Sequence, residues 1–579
     1  MADDSTFTSK TMGNGQAGET ARTGRLSRRS MLKGAAALGA GGVGMGLLSA
    51  SGASAQPLNR LRLLNAAMQD QLAAEQTIRL PEGEPVRFDP GVTSGGKGIE
   101  QLQNLFEGLV TVDQRDGSLK MGLAEKMEAN ADASAFTFTL RDGLKWSDGT
   151  PLTARDFEWS WKRVLDPATK SEYTTALYPI KNAAAIDKGT AKPADLGVKA
   201  VDDKTLQVTL EGSTPYFPLL AATWTFYPVP QHVIDKEGDG WVEAGKMVSN
   251  GPYLLTKWNH EQDMTLEVNP NYFGDKPTIT KALYTLFADN VSQALVPFEN
   301  NELDQAQWSG ADLDRVKNDA TLGKLAQVFP RSGTKFLICD TTNAPTNDVK
   351  VRQALSMVMS RETLAAKVLK GEFTPAPTML PPDIPGNDPA SGLGEDVAKA
   401  KQLLADAGFP DGKGFPEMTL TYISTEAESA KTAQYLQSVF KDSLGIGIKL
   451  DPLEDKAFQD WFNARKTQPF NLMLSQWGSD WGDPANWHNQ LFDSQADYYH
   501  SHWKSDQFDQ LVRSGMVMAD AAERIEQYTQ AEKILNQEAG LISLFHLNRV
   551  YVIQPYVKGI VHYPILGRTW LKYASIVKH

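Results

Sequence analysis

Met418-Thr419-Leu420-Thr421-Tyr422 and Ile446-Gly447-Ile448-Lys449-Leu450 both read as short strands. Between them Ala433, Leu436 and Phe440 recur at helical spacing. Strand, helix and strand in about thirty residues make a β-α-β unit, so a parallel pair is expected here. Upstream, Val397, Ala400, Leu403 and Leu404 form another apolar stripe, with Gly408 placed to cap the helix. Phe136-Thr137-Phe138-Thr139-Leu140 and Leu206-Gln207-Val208-Thr209-Leu210 alternate as half-buried strands. Ile525, Tyr528, Ala531 and Leu535 predict one face of a late helix, and the Pro-rich segment 374–389 reads as a long ordered surface loop. No internal repeat is evident. The class is α/β with mixed sheets.

The amino-terminal region reads differently. Ser27-Arg28-Arg29-Ser30-Met31-Leu32-Lys33 precedes an apolar Gly/Ala run to about Leu48, then Ala53-Ser54-Ala55. Basic region, short apolar core and small-residue site in that order predict a cleavable twin-arginine export signal over residues 1–55. The mature chain is then expected to start near Gln56 and to work outside the cytoplasm. Gly39, Gly41 and Gly44 match a dinucleotide-binding spacing, but they fall inside the signal with no strand before them.

The 579-residue chain carries a formal charge of −12, and loss of the signal makes it about −15. An acidic chain of this size builds two or three domains and is a poor partner for nucleic acid or anionic membranes. Cys339 is the only cysteine, so no intramolecular disulfide is possible, and its apolar neighbours make it a core residue.

Tryptophan is abundant, with 13 residues, and several cluster near the stretch Gln476-Trp477-Gly478-Ser479-Asp480-Trp481-Gly482-Asp483-Pro484. It follows the apolar strand Phe470-Asn471-Leu472-Met473-Leu474. Glycines expose backbone between aromatic walls, and one carboxylate stands at the strand end. That combination suits an extended ligand with a cationic terminus. Asp480 and Asp483 also resemble a catalytic carboxylate pair, yet two aspartates before a proline are more often turn formers. His500-Ser501-His502, with His488 nearby, would share a face if they lay on a strand, but no spacing fixes a further ligand, so no metal and no cofactor is expected.

One block is more specific: Leu140-Arg141-Asp142-Gly143-Leu144-Lys145-Trp146-Ser147-Asp148-Gly149-Thr150-Pro151-Leu152-Thr153-Ala154-Arg155-Asp156-Phe157, continuing through Trp159-Ser160-Trp161-Lys162-Arg163 to Asp166-Pro167. With Leu105-Phe106-Glu107-Gly108-Leu109, Asn250-Gly251-Pro252-Tyr253, Asn269-Pro270-Asn271-Tyr272 and residues 347–355 in order, the chain resembles the family 5 extracytoplasmic solute-binding proteins of ABC importers. Within that peptide- and nickel-binding family it is most similar to the oligopeptide-binding members. The resemblance implies a two-lobed periplasmic-binding-protein fold, type II-like, with an extra third domain. Lobe I would take residues 56–109, 227–311 and 549–579, the extra domain 110–226, and lobe III 312–548.

It further implies a monomer that captures oligopeptides by hinge closure, delivers them to the transmembrane subunits of a permease, and performs no chemistry. The twin-arginine translocase would be its partner during export. Asp480 would hold the peptide ammonium. The backbone of Gln476, Trp477 and Gly478 would pair with the peptide from one side, Ser94, Gly95 and Gly96 from the other, and Tyr173 would line the cleft. The arginine that relatives use for the peptide carboxylate is Leu474 here, and a histidine of similar use falls near Ser429. Arg465 and Lys370 are the substitute cations considered. A nickel chelate, haem, an opine or an oligosaccharide are alternative ligands for the same fold. An exported enzyme and a chaperone-like role are further alternatives.

Overall fold

A computed structural model of the chain describes residues 71–94, 98–287, 291–308, 310, 312–565 and 568–579. The export signal, the glycine triplet within it, and Gly95 and Gly96 lie outside the described residues.

The β-α-β unit forms as expected. Met418–Ile423 and Ile448–Leu453 pair in parallel, and the helix Ala427–Leu444 buries Ala433, Leu436, Phe440 and Leu444 between them. The helix stops at Gly445, whose φ of 70° suits a residue without Cβ and lets its N–H reach Lys441 O and Phe440 O. The second strand therefore starts at Ile448, two residues later than the sequence suggests. The strands belong to a seven-stranded mixed sheet with Gln305–Gln307, Ile542–Ile553, Ala326–Cys339 and Leu472–Gly478, to which the short strand Thr374–Pro375 adds by pairing with Ile542–Ile553. Two of these are long, at 14 and 12 residues, and they pair antiparallel from Ala326↔Val552 to Leu337↔Ile542 around an irregularity between Pro330 and Thr334.

The aromatic-rich block forms part of a smaller unit. Ala135–Leu140 sits in a four-stranded antiparallel sheet with Ala124–Ala129, Thr205–Thr209 and Val198–Ala200. Its inward residues Phe136, Phe138 and Leu140 are buried, as the alternation predicts. Trp146 is fully buried and donates from Nε1 to Asp156 Oδ1 at 3.4 Å. Asp156 also closes a reciprocal cap with Thr153 at the start of the helix Ala154–Val164. A third sheet joins Thr77–Gly83, in parallel, to Lys281–Phe287, with Asp263–Val268 and Tyr253–Asn259 beyond.

Two expectations change. Segment 374–389 is only partly a surface loop: Pro382, Asp383 and Pro385 are exposed, but Ala376, Thr378, Met379 and Leu380 are fully buried. Glu532 accepts the N–H groups of Met379 and Leu380, so a buried carboxylate satisfies backbone that a strand otherwise would. The late helix, Ala521–Gln537, buries Tyr528, Ala531 and Leu535, but Arg524 takes the place at its start that the apolar spacing gave to Ile525. No helix among the described residues is long and apolar enough to cross a membrane.

Candidate functional site

The site grows from the end of the strand Leu472–Gly478. Its first three residues are buried and its last four half-buried. On one edge it pairs with Ala326–Cys339 as far as Gly333↔Gly478. On the other it pairs with Met418–Ile423 only at Leu472 and Met473. Beyond Met473 no strand among the described residues pairs with that edge, although Gln476 O accepts a hydrogen bond from Tyr499 Oη at 2.8 Å. An extended ligand can complete such an edge with main-chain hydrogen bonds.

The strand end is fixed by polar contacts. Ser479 N donates to Ser332 O at 2.8 Å, and Ser479 Oγ accepts from Trp487 Nε1 at 2.9 Å. Asp480 N donates to Asn486 Oδ1 at 2.9 Å, leaving the side chain half-buried. Asp480 Oδ2 accepts the Tyr173 hydroxyl at 2.8 Å. Tyr173 stacks on Trp224 with centroids 5.6 Å apart, and Trp224 Nε1 donates to Thr93 O. Burial first, and the Asp480 charge second, hold the Tyr173 hydroxyl well above its ordinary pKa, so it stays a donor.

Ser94 donates to Glu172 Oε2 at 3.1 Å, beside Tyr173, so its loop and the tyrosine stand together. Trp477 packs edge-on against Tyr498 at 5.4 Å. The indole N–H groups of Trp477 and Trp481 are buried with no hydrogen-bond partner among the described residues. Two cavities meet at Trp481. One, about 420 Å³, is lined by Asp480, Glu107, Tyr272, Asp383 and Lys572. The other, about 730 Å³, is walled by Tyr173, Tyr178, Tyr216, Tyr498 and Met516.

Asp483 is not half of a catalytic pair. It caps the turn at Pro484 and binds Arg524 through two 2.7 Å hydrogen bonds, with both side chains almost fully buried. The histidines are likewise engaged. His488 pairs with Glu532 in the core, and His502 reaches Asp340 at 3.3 Å. His500 and His502 adopt φ of 53° and 55°, which is not strand geometry, and the described residues hold no group of three or more His, Cys, Asp or Glu suited to a metal. Burial pushes the Cys339 thiol up to about 12, which suits a core residue.

The structure brings Gln476, Trp477, Gly478, Asp480 and Tyr173 together. It holds Arg465 on the carbonyl groups of Trp461 and Pro469, and pairs Lys370 with Asp314 on an exposed turn. Arg465 also bonds to Gln468, so both cations are held by partners other than Asp480, Trp477 or Tyr173. Sequence reasoning did not single out Arg331. Its guanidinium lies against Gly478, which only strand pairing across almost 150 residues reveals.

Residues 118–499 match the family described as bacterial extracellular solute-binding proteins, family 5 Middle. The chain belongs to that family. It is 35% identical to a probable deoxycholate-binding periplasmic protein of Escherichia coli, over 85% of this chain and 92% of that one. It is 32% identical to an oligopeptide-binding protein of Bacillus subtilis, over 83% and 88%. Among solved structures, the unliganded open form of the murein tripeptide-binding protein MppA superposes with a TM-score of 0.76 at 29% identity, covering 88% of this chain and 99% of that one. The Haemophilus influenzae oligopeptide-binding protein in complex with the peptide RPPGFSPFR gives 0.69 at 28%, over 88% and 100%. The α/β two-lobed fold of family 5 binding proteins is therefore the fold of this chain.

Proposed function

We propose that this protein is the solute-binding component of an ABC importer and that it captures peptides through a free amino terminus at Asp480. The observation that carries this is a half-buried carboxylate at the end of a strand whose outer edge is open, already oriented by Tyr173. A peptide laid along Gln476, Trp477 and Gly478 recruits main-chain hydrogen bonds that are blind to side chains, and its ammonium meets Asp480. Ser94, with Gly95 and Gly96, would supply the opposing backbone.

Peptide binding by the relatives named above supports this reading. The lobes then close about a hinge on the ligand, and the closed form docks on its permease. The division into lobe I, an extra domain at 110–226 and lobe III at 312–548 belongs to the same proposal. So do export through the twin-arginine translocase, a periplasmic monomer and the absence of catalysis. A second reading has one observation in its favour: the aromatic walls of the larger cavity also suit an amphipathic ring-shaped carboxylate like that named for the Escherichia coli relative.

Thermal unfolding with short peptides, each with a free or N-acetylated terminus, tests the proposal. A ligand at about 100 times its Kd adds about 2.7 kcal/mol of stability. Free-amine peptides should stabilise the protein, N-acetylated ones should not, and Asp480→Asn should abolish the difference without loss of fold. Losing one partner of a desolvated ammonium–carboxylate pair costs about 2–5 kcal/mol of binding. Stabilisation by deoxycholate with no response to any peptide would replace the peptide reading.

A further inference from the structure

Lys572 follows the short strand Arg568–Trp570 and lines the smaller cavity together with Asp480. Its side chain is half-buried, and aromatic faces shelter the ammonium: Nζ lies 5.4 Å from the centre of the Tyr272 ring and 5.6 Å from that of Trp570. Among the described residues the ammonium makes one hydrogen bond, to Tyr272 Oη at 2.9 Å, and no ion pair. Tyr272 gives its own hydrogen to Glu107 Oε2 at 2.6 Å, so a hydroxyl separates the lysine from that carboxylate. Burial first drives Glu107 toward its neutral form, with Lys572 opposing. An ammonium has three hydrogens to donate, and the other two have no partner among the described residues. The other cation of this cavity, Arg115, is matched by Asp113 at 2.6 Å, and Asp116 accepts from Ser118 N. Lys572 is therefore the cation here that an anion can still engage. Among the described residues no lysine or arginine lines the larger cavity.

We propose that Lys572 reads the side chain of the ligand's first residue and selects an acidic one, aspartate or glutamate. This rests on the reading of Asp480 as the amine anchor. An amine held there places the first Cα one bond beyond it, and in that reading the chain then runs along Gly478, Trp477 and Gln476. The first side chain therefore starts in the cavity that Asp480 lines, and later ones are carried away from it by about 3.3 Å per residue. The amine itself neutralises Asp480. Glu107 is capped by the Tyr272 hydroxyl, and Asp383 is exposed, where salt and water screen it. What remains is the Lys572 ammonium, between aromatic rings that exclude much of the water that would weaken an ion pair. A compact charge on a flexible stem follows the one-methylene difference between aspartate and glutamate.

The test is calorimetric titration of the ligand-stripped protein with the pairs Glu-Ala-Ala and Gln-Ala-Ala, Asp-Ala-Ala and Asn-Ala-Ala, and Ala-Ala-Glu and Ala-Ala-Gln. Each peptide with an acidic first residue should bind about tenfold more tightly than its amide counterpart, an effect between those of exposed and of fully desolvated charge pairs. Ala-Ala-Glu and Ala-Ala-Gln should bind alike. Lys572→Met should erase the preference at the first position while the need for a free amine stays, and Lys572→Arg should keep part of it. Lys572→Gln serves if the Met variant loses its far-ultraviolet dichroism. A preference that survives in the Met or Gln variant overturns the inference and leaves the amine anchor standing. So does equal binding of the acidic and amide peptides by wild type, or an acid preference as strong at the third residue as at the first. Wild type that binds no free-amine peptide overturns both readings together.

Discussion

Asp480 and Asp483 stand three residues apart in one turn and meet opposite fates. Asp483 is caught between a backbone cap and Arg524, with side chains 7% and 6% exposed, and the Tyr216 ring covers the guanidinium at 5.3 Å. Asp480 keeps a half-exposed carboxylate that accepts the Tyr173 hydroxyl. Arg524 and Arg331 also differ: Arg524 is matched in the interior, and Arg331 lies half-buried against Gly478 with no hydrogen bond or ion pair to a described residue. The rear of this turn is built to keep its shape. The front, half-exposed, is where the proposed ligand would bind.

The largest expected effect breaks the rear. Arg524→Ala leaves Asp483 buried without its cation and should cost about 3–5 kcal/mol of stability. Urea unfolding measures it, and a loss below about 1 kcal/mol would show that water reaches Asp483 and that the two aspartates are not so different. A smaller effect sharpens the contrast between matched and unmatched groups along the two long strands. His546, bonded to Thr334 Oγ1 at 2.9 Å, is held at a pKa of about 4 by burial, with Glu532 opposing weakly. Its ordinary value is about 6.5. The unfolded chain therefore takes up this proton as pH falls through 6.5, and the folded chain does so only near 4. Stability from this residue is full above about 6.5 and is lost on acidification. Between pH 6.5 and 5 the difference is about 2 kcal/mol, read as the gap between the pH profiles of wild type and His546→Gln. Parallel profiles would mean that the ring is neutralised or solvated otherwise.

Much of the scaffold was legible because it is local. The period-two alternation of 136–140 and the helix stripe ending at Gly445 need only neighbours within a few residues. So does the capping pair Thr153 and Asp156. Asp480, beside glycines and tryptophans, was singled out as the proposed anchor from composition and resemblance. What stayed hidden depends on chain segments far apart. Arg331 meets Gly478 only because the strands Ala326–Cys339 and Leu472–Gly478 pair. Arg524 reads as one more charge on a helix until Asp483 arrives from forty residues away. Segment 374–389 looked like a surface loop because proline punctuates loops, yet Glu532 supplies the acceptor that its backbone needs in the interior. Arg465 and Lys370 were candidates only by charge, and local partners satisfy both.

The smallest expected effect concerns Tyr173, which joins the two regions. Its ring is part of the aromatic wall and its hydroxyl is part of the anchor, and Tyr173→Phe separates these. The ring should keep its stacking on Trp224, so the fold and the larger cavity stay as they are. Only the hydrogen bond to Asp480 goes. A hydrogen bond of this kind contributes about 1–1.5 kcal/mol, so free-amine peptides should bind about five- to tenfold more weakly. Peptides with a blocked amine should stabilise neither Tyr173→Phe nor the wild type. Unchanged binding of free-amine peptides would mean that the hydroxyl does not orient the carboxylate, and that Asp480 is oriented by Asn486 and the strand end alone.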